Sequence, residues 1–279
     1  MKNPRITTVI ATSPVPSIPD IAHIRRTLES LAFVPELNES PIIVSFDAAR
    51  AERAREAYAQ YQQNVAAYCG GRPNVRLLHL AEWGHLSGVM ERAIQAVTTP
   101  FLFVQQHDLP LIRSFALDKV IKCLESDASV KHVRLNHRHN RPVGWDRTPL
   151  FGAYDTEHLS LTRTGCWSDQ SHLTTLDYYA TLVIPTIRGR RTFPELILNP
   201  MMNVIGAQLP LIHAKFGTFI YGPPGEAPVI AHTNARMDRP TNVAVTQCQP
   251  QLVESTANRS FVKETNGRET AGEFSCLAR

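Results

Sequence analysis

The stretch FLFVQQHD, residues Phe101–Asp108, decides how the fold is interpreted. Its first four residues are apolar, which predicts a buried strand of a parallel sheet, and it then turns polar ahead of Pro110. Ligands of open α/β sheets bind beyond the carboxyl ends of the strands. Asp108 is therefore a candidate ligand-binding or metal-binding residue. The alternative is that Asp108 only caps a loop or a following helix.

The chain that leads to this stretch alternates between strands and helices. Apolar, β-branched strands are predicted at 6–12, 41–47 and 75–80. The intervening stretches have helical character, including a helix opened by Pro19-Asp20 and a long one over 48–68. Such alternation predicts a parallel sheet covered by helices on both faces.

Polar residues follow several of these predicted strands. Thr12 and Ser13 follow the first, Asp47 ends the second, and His107 with Asp108 ends the fourth. At neighbouring strand ends, hydroxyls and one carboxylate can hold a base and ribose, while a later carboxylate holds a metal-bound diphosphate. The sequence contains neither GxGxxG after the first strand nor GxxxxGK[ST], which argues against dinucleotide oxidoreductases and P-loop enzymes.

Composition narrows the class of protein. The 279 residues carry 29 basic and 25 acidic side chains, a net charge of +4 that is too small to indicate nucleic-acid binding by itself. Five scattered cysteines form no CxxC pair, which favours a reducing compartment. No secretory leader and no apolar run near the roughly 20 residues of a membrane span are recognisable. We therefore predict a cytoplasmic protein without a transmembrane segment.

The order of these features resembles a known family. The path from Ile6 through Asp47, the segment Gly84–Gly88 and the stretch Phe101–Asp108 together resemble the nucleotide-sugar half of a GT-A glycosyltransferase, nearest to inverting, family-2-like members. The resemblance implies an α/β fold with an open mixed sheet flanked by helices, as in nucleotide-diphospho-sugar transferases. It covers roughly residues 5–238, so we predict a catalytic domain at 1–238 and a polar C-terminal extension at 239–279.

The resemblance also implies a divalent cation. The family's Asp-x-Asp motif corresponds here to Gln106-His107-Asp108, which has only the second carboxylate. One carboxylate with an imidazole is a weaker site for Mg²⁺ than two carboxylates, and suits Mn²⁺ better. His232 is predicted to complete the metal shell with Asp108, and Arg236 to contact phosphate. A single histidine after a strand is also commonly structural.

The stretch from Cys166 to Leu173 places Trp167 beside Ser, Asp and His. An aromatic ring that packs on a sugar, with polar groups that bind its hydroxyls, would form an acceptor site. The alternative is the start of a helix, expected from about Thr174, with Asp169 or Ser171 as its cap and Trp167 in the core.

Transfer with inversion needs a carboxylate that takes the proton of the acceptor hydroxyl. The resemblance implies an acidic residue at a downstream helix start, so Glu195 is the first candidate and Asp169 the second. A glutamate in a first helical turn is also favoured by the helix dipole alone. Arg190 and Arg191 are predicted to neutralise the departing diphosphate, or else are ordinary surface charges.

A basic turn over residues 137–141 follows the predicted strand at 131–136. It is interpreted as a phosphate or acceptor site, a metal site made of His132, His137 and His139, or a solvated loop. An RNA-binding role would need interleaved aromatic residues, which this turn lacks.

The sequence therefore predicts an enzyme that transfers a hexosyl or pentosyl group from a UDP- or GDP-linked donor to a hydroxyl of a carbohydrate or glycan acceptor, without nucleic acid as a partner. The alternative function is a non-catalytic module that binds a nucleotide-sugar or a carbohydrate. The missing first carboxylate of the triplet is what makes that alternative credible.

Overall fold

The computed structural model describes residues 4–140, 152–206 and 215–233. Its strands are β1 (Ile6–Thr12), β2 (Ile42–Phe46), β3 (Val75–His79), β4 (Phe101–Gln106), β5 (His132–Arg134), β6 (Gly152–Asp155), β7 (Ser160–Arg163), β8 (His172–Thr175) and β9 (Thr218–Tyr221). Its α-helices are α1 (Ala22–Ser30), α2 (Pro35–Glu39), α3 (Arg55–Cys69), α4 (His85–Ile94), α5 (Leu117–Ser126), α6 (Leu176–Tyr178), α7 (Ile184–Ile187) and α8 (Glu195–Gly206).

The strands form one mixed sheet in the order β3-β2-β1-β4-β8-β5-β9-β7-β6. β1 lies between β2 and β4 and is parallel to both, with Val9 opposite Ile43 on one side and Val104 on the other. All seven residues of β1 are buried, as expected for a central strand covered on both faces. The first three strands predicted from sequence are thus confirmed with bounds that differ by no more than one residue at either end, and the fourth continues two residues past its predicted apolar run, to Gln106.

Alternate residues of the central strands belong to two separate hydrophobic cores. Ile10, Val44 and Phe103 pack in the core beneath α1, α2, α3 and α5. Val9, Ile43 and Val104 pack in the opposite core, beneath α4, α7 and α8. Because side chains alternate across a strand, one continuous apolar run supplies both cores. The predicted covering of both faces is therefore confirmed.

The second half of the sheet departs from parallel pairing. β8 is antiparallel to both β4 and β5, and β7 is antiparallel to both β6 and β9. β6 and β7 lie in residues 150–165, whose mixed residue pattern indicates neither a strand nor a helix. The result is the open mixed sheet flanked by helices that the fold class predicted.

Several predicted element ends differ from the structure. The long helix expected over 48–68 is a 3₁₀ turn at Glu52–Ala54 followed by α3. Asp20 lies one residue before the cap position of α1, and its Oδ1 accepts a hydrogen bond from Ala22 N at 2.8 Å. The predicted extension 239–279 lies outside the described residues. Within the described ranges, every helix is too short or too polar to cross a membrane.

Candidate active site

A cleft of about 490 Å³ opens beyond the carboxyl ends of β1, β2 and β4. Thr12, Ser13, Asp47, His107 and Asp108 all line it. These strands are neighbours in the sheet, so their ends necessarily meet at one edge. The structure thus brings together five of the residues predicted to bind a nucleotide or metal, while their roles in binding stay predictions.

Residues at two of these strand ends are held from within the protein. The hydroxyl of Thr12 lies 2.9 Å from that of Tyr61 on α3, and Nδ1 of His107 lies 3.3 Å from the carbonyl oxygen of Ala11. Ser13 is half-buried at the cleft surface. The floor of the cleft is therefore built before any ligand binds.

Asp108 is the most notable residue of the cleft. It is only 4% exposed, and its Oδ1 is buried without a hydrogen-bond partner among the described residues. Its backbone carbonyl accepts a hydrogen bond from Thr233 N at 2.9 Å, which brings the segment 229–233 alongside the end of β4. A buried carboxylate oxygen without a donor is costly, so a donor or a cation that reached Oδ1 from the cleft would be stabilised there.

His232 reaches the same carboxylate. Its Nε2 lies 3.7 Å from Asp108 Oδ2, so the structure brings together the two predicted metal ligands. Among the described residues, no group of three or more His, Cys, Asp or Glu side chains is arranged to hold a metal. Mg²⁺-type sites commonly use one or two carboxylates and take their remaining ligands from water and substrate phosphates. The donor set fits a cation that is shared with a bound phosphate.

Asp47 has a structural task in addition to any ligand contact. Its Oδ1 accepts hydrogen bonds from the backbone N–H groups of Ala48 and Gly84, both at 2.8 Å. Burial raises the pKa of Asp47, and the N–H donors of Gly84, Ala48 and His85 partly oppose that shift. Asp47 therefore joins β2 to the start of α4, where His85 has a φ of 57°.

One side of the cleft is formed by aromatic rings and an arginine, called here the aromatic wall, which were not among the predicted site residues. It consists of Arg50, Trp83, His85 and Phe193. The Arg50 guanidinium lies 4.7 Å from the Trp83 ring centroid, and His85 packs edge-on against Phe193 with centroids 4.4 Å apart. The only signal in the sequence was the position of Trp83 directly before the Gly84–Gly88 segment.

The two carboxylates predicted as candidates for the catalytic base are Asp169, in the segment 167–170, and Glu195, which contacts that segment. Gln106 lines the cleft, and its Nε2 donates to the Asp169 carbonyl oxygen at 3.1 Å and to Oδ1 at 3.3 Å. Ser168 Oγ donates to Glu195 Oε2 at 3.4 Å. Glu195 begins α8, as predicted. Asp169 is thus the candidate that is hydrogen-bonded to a residue of the cleft lining, Gln106.

The interpretation of Trp167 as a sugar platform is wrong. Trp167 is 0% exposed and packs in the core beneath α4, α7 and α8, so no sugar can reach its ring. The helix expected from about Thr174 begins instead at Leu176, because residues 172–175 pair with β4 and β5 as strand β8.

Two of the predicted phosphate-binding arginines, Arg190 and Arg191, lie apart from the cleft lining. The guanidinium of Arg191 lies 3.4 Å from Glu82 Oε2, and the Arg190 side chain is exposed. Arg236 lies outside the described residues. The role of all three in neutralising a diphosphate stays a prediction.

Two buried imidazoles lie beneath the segment 167–170. The rings of His132 and His172 stack with centroids 4.2 Å apart, and both residues are fully buried. Burial lowers the pKa of His172 to about 4; burial and the neighbouring His172 hold the pKa of His132 well below its ordinary value of 6.5. Both rings are therefore neutral around pH 7, and His132 is not available as a ligand of a surface metal.

These pKa shifts predict acid sensitivity. Below about pH 6.5 the unfolded chain binds protons at both histidines while the folded chain does not, so the free energy of unfolding should fall as pH drops toward 4. His172 alone should contribute a loss on the order of 3 kcal/mol across that window. Asp47 opposes this trend, because its pKa is raised by folding. Urea unfolding at a series of pH values from 8 to 4 measures the effect.

The matched control is the exposed His139, whose replacement by Gln should leave this pH profile unchanged. A free energy of unfolding that stays constant between pH 6.5 and 4.5 would contradict the prediction.

Comparison with known proteins places the fold. No family model and no curated protein sequence matches the chain. Among solved structures, S. aureus TarS matches with a TM-score of 0.51 and 9% identity over 82% of this chain and 36% of TarS. Residues 1–349 of S. aureus TarS match with a TM-score of 0.51 and 10% identity, over 82% of this chain and 60% of the TarS fragment. GalNAc-T7, solved with UDP, GalNAc and Mn²⁺, matches with a TM-score of 0.52 and 10% identity, over 87% of this chain and 46% of GalNAc-T7.

These neighbours are GT-A-type glycosyltransferases, and the chain shares their fold. It spans less than two thirds of the length of each of them.

Proposed function

We propose that this chain is an inverting glycosyltransferase that moves a sugar from a nucleoside-diphosphate donor to a hydroxyl of a carbohydrate or glycan acceptor. The observation that carries the proposal is the buried Oδ1 of Asp108, which has no hydrogen-bond partner among the described residues, at the edge of the sheet where β1, β2 and β4 end. The GT-A-type fold supports it, since GalNAc-T7 was solved with UDP, GalNAc and Mn²⁺ in a similar fold.

On this proposal, Asp108 and His232 hold a divalent cation, Mn²⁺ or Mg²⁺, beside the donor. When bound, the cation supplies positive charge that stabilises the departing diphosphate. Thr12, Ser13, Asp47 and His107, which line the cleft, contact the nucleotide, with Thr12, Ser13 and Asp47 at the base and ribose. Arg190 and Arg191 add positive charge that neutralises the departing diphosphate, which requires both to move toward the cleft and Arg191 to leave Glu82, and Arg236 is proposed to contact phosphate.

The chemical step is a single displacement. The acceptor hydroxyl oxygen forms a bond to the anomeric carbon while the bond from that carbon to the diphosphate oxygen breaks, and the electron pair leaves with the diphosphate. The hydroxyl proton passes to a carboxylate of the protein. Asp169 is the better placed of the two candidates, because Gln106 joins it to the cleft; Glu195 stands one hydrogen bond farther away, behind Ser168.

A specific observation favours a second candidate function. Asp108 is the only carboxylate of the triplet Gln106-His107-Asp108, and no three-residue metal group exists in the described ranges. A site with so few metal ligands suits a non-catalytic module that binds a nucleotide-sugar or a carbohydrate without cleaving it.

One assay separates the two functions. The full chain is incubated with a panel of UDP- and GDP-sugars, carbohydrate acceptors and Mn²⁺, and the released nucleoside diphosphate is measured. Thermal shifts with UDP, GDP, CMP and dTDP, with and without Mn²⁺, identify the nucleotide, because a ligand of the folded state raises its stability. Turnover above background supports the enzyme. Binding without turnover supports the module, and no binding contradicts both.

We expect the aromatic wall to contribute to the affinity for the nucleotide, because a base can stack on Trp83. Trp83→Ala removes the ring that packs with Arg50 at the cleft surface. A base stacked on such a ring contributes about 1–3 kcal/mol, so the Kd for the preferred nucleoside diphosphate should rise roughly 5- to 100-fold. Isothermal titration calorimetry measures the change.

Phe33→Ala provides the control, since Phe33 is an exposed aromatic residue outside the cleft lining. Equal affinities in wild type and Trp83→Ala would show that the base binds elsewhere.

A further inference from the structure

The hydrogen bonds beneath Asp169 point to a further role for two buried histidines. We infer that His132 and His172 are positioning residues, which hold the backbone on either side of Asp169 so that its carboxylate stays against Gln106, a residue of the cleft lining. This inference rests on the proposed function, in which Asp169 accepts the proton of the acceptor hydroxyl.

Each imidazole binds one of the two carbonyl groups that flank Asp169. His132 Nε2 lies 3.0 Å from the carbonyl oxygen of Ser168, and His172 Nδ1 lies 2.6 Å from that of Gln170. A carbonyl oxygen only accepts hydrogen bonds, so both ring nitrogens must carry the proton. Asp169 is thus held by donors on both sides of its own peptide unit.

The tautomer of His172 is fixed from its other side. Its Nε2 lies 2.9 Å from the hydroxyl of Tyr179, which therefore donates to the unprotonated nitrogen. The Tyr179 hydroxyl is itself kept protonated, because burial and the nearby charge of Asp169 raise its pKa well above the ordinary value. The chain of donors runs from Tyr179 through His172 to the Gln170 carbonyl.

Burial, and for His132 also the neighbouring His172 and Arg134, lowers the pKa of both imidazoles and keeps them neutral. His132 faces His172, Arg134 and Tyr178, and His172 faces His132, Tyr179 and the apolar ring of Trp167. In these hydrogen bonds the partners of both imidazoles are carbonyl and hydroxyl oxygens, not carboxylates that would favour the protonated ring. Neutral rings with defined tautomers are the form that can hold both carbonyls.

The rest of the segment is held against the cleft by other elements. Gln106 on β4 binds Asp169 itself, and Asn199 on α8 accepts a hydrogen bond from Trp167 N at 2.7 Å. Gln106 is two residues from Asp108, so the distance from Asp169 to the cation site depends on this packing. Phenylalanine at either histidine position would fill the volume and lose the donor.

The experiment compares variants that keep or lose each donor. Asn at position 172 keeps a donor near Nδ1, and Gln at position 132 keeps one near Nε2, whereas Phe removes the donor. We expect His132→Phe and His172→Phe to lower kcat by about 100-fold with the donor KM within twofold of wild type, because a small displacement of a reacting group has an effect of that size. His132→Gln and His172→Asn should recover most of the loss.

A double variant tests whether the histidines act through Asp169. Adding His172→Phe to Asp169→Asn should cause no further loss of kcat, since the group being positioned is already gone. Additive losses, unchanged kcat in the Phe variants, or an equal loss in the Phe and the donor-keeping variants would overturn the inference. Circular dichroism confirms that each variant compared is folded.

The failure of the proposed function is distinguishable from the failure of this inference. If wild type turns over no nucleotide-sugar, the proposed function fails, and amide hydrogen exchange then measures positioning without a substrate. The Phe variants should raise exchange at residues 168–171 relative to the donor-keeping variants, while exchange in β1 stays unchanged. Equal exchange at 168–171 in both sets would overturn the inference.

Discussion

Asp108→Asn should lower kcat/KM for the nucleotide-sugar by at least about 100-fold, because the amide cannot neutralise a cation or hold it against the diphosphate. The carboxylate is buried at the cleft, with one oxygen lacking a partner in the part of the chain that the structure describes and the other 3.7 Å from His232 Nε2. The amide is nearly the same size, so the fold should be kept. Initial rates across a Mn²⁺ titration measure the effect, and the apparent Mn²⁺ affinity should weaken in parallel.

The control for this variant is Asp118→Asn. Asp118 is exposed on α5, where it lies 3.8 Å from Lys122, and it is no part of the cleft lining. Its replacement should leave both kcat/KM and the Mn²⁺ dependence at the wild-type level. Wild-type turnover by Asp108→Asn would remove the cation site from the mechanism and favour a donor diphosphate held by basic side chains alone.

The N-terminal half of the sheet was predictable from the sequence for a physical reason. Strands covered on both faces are rich in apolar and β-branched residues, so β1, β2 and β4 appear as short, mainly apolar or β-branched runs without a charged residue. The strand order follows less directly, but neighbouring parallel strands place their carboxyl ends at one edge. That is why Thr12, Asp47 and Asp108 could be placed together without coordinates.

The antiparallel half could not be predicted in the same way. β8 has four residues, HLTT, whose local preference does not decide between strand and helix; its pairing with β4 and β5 does. The pattern of β6 is half-exposed, and its partner β7 is joined by a short turn. Contacts between residues far apart in sequence override local propensity at both places.

The aromatic wall could not be predicted from the sequence for a related reason. Trp83 and Phe193 are 110 positions apart, and tertiary contacts between their two segments, such as the packing of His85 and the hydrogen bonds from Ser87 to the Thr192 carbonyl, bring them to one cleft. Trp167 shows the converse error: its polar neighbours in sequence suggested a sugar site, whereas the ring itself faces the core. Side-chain type near a polar motif says little about the direction in which a ring points.

Asp169→Asn and Glu195→Gln should separate the two base candidates. If Asp169 takes the proton of the acceptor hydroxyl, its amide variant should lose roughly 100- to 10,000-fold in kcat, since general-base catalysis contributes about that much. Glu195→Gln should lose far less, because the amide oxygen can still accept the hydrogen bond from Ser168 Oγ. Both variants should bind the donor as wild type does, since neither residue lines the cleft.

The measurement is the transfer rate at saturating donor, with donor binding followed separately by calorimetry. A large loss in Glu195→Gln with a small one in Asp169→Asn would assign the base to the start of α8 and make Asp169 a structural partner of Gln106. Small losses in both would mean that the proton leaves without help from either carboxylate. Asp177→Asn on α6 is the matched control, because Asp177 lies away from this cleft and its substitution should leave transfer unchanged.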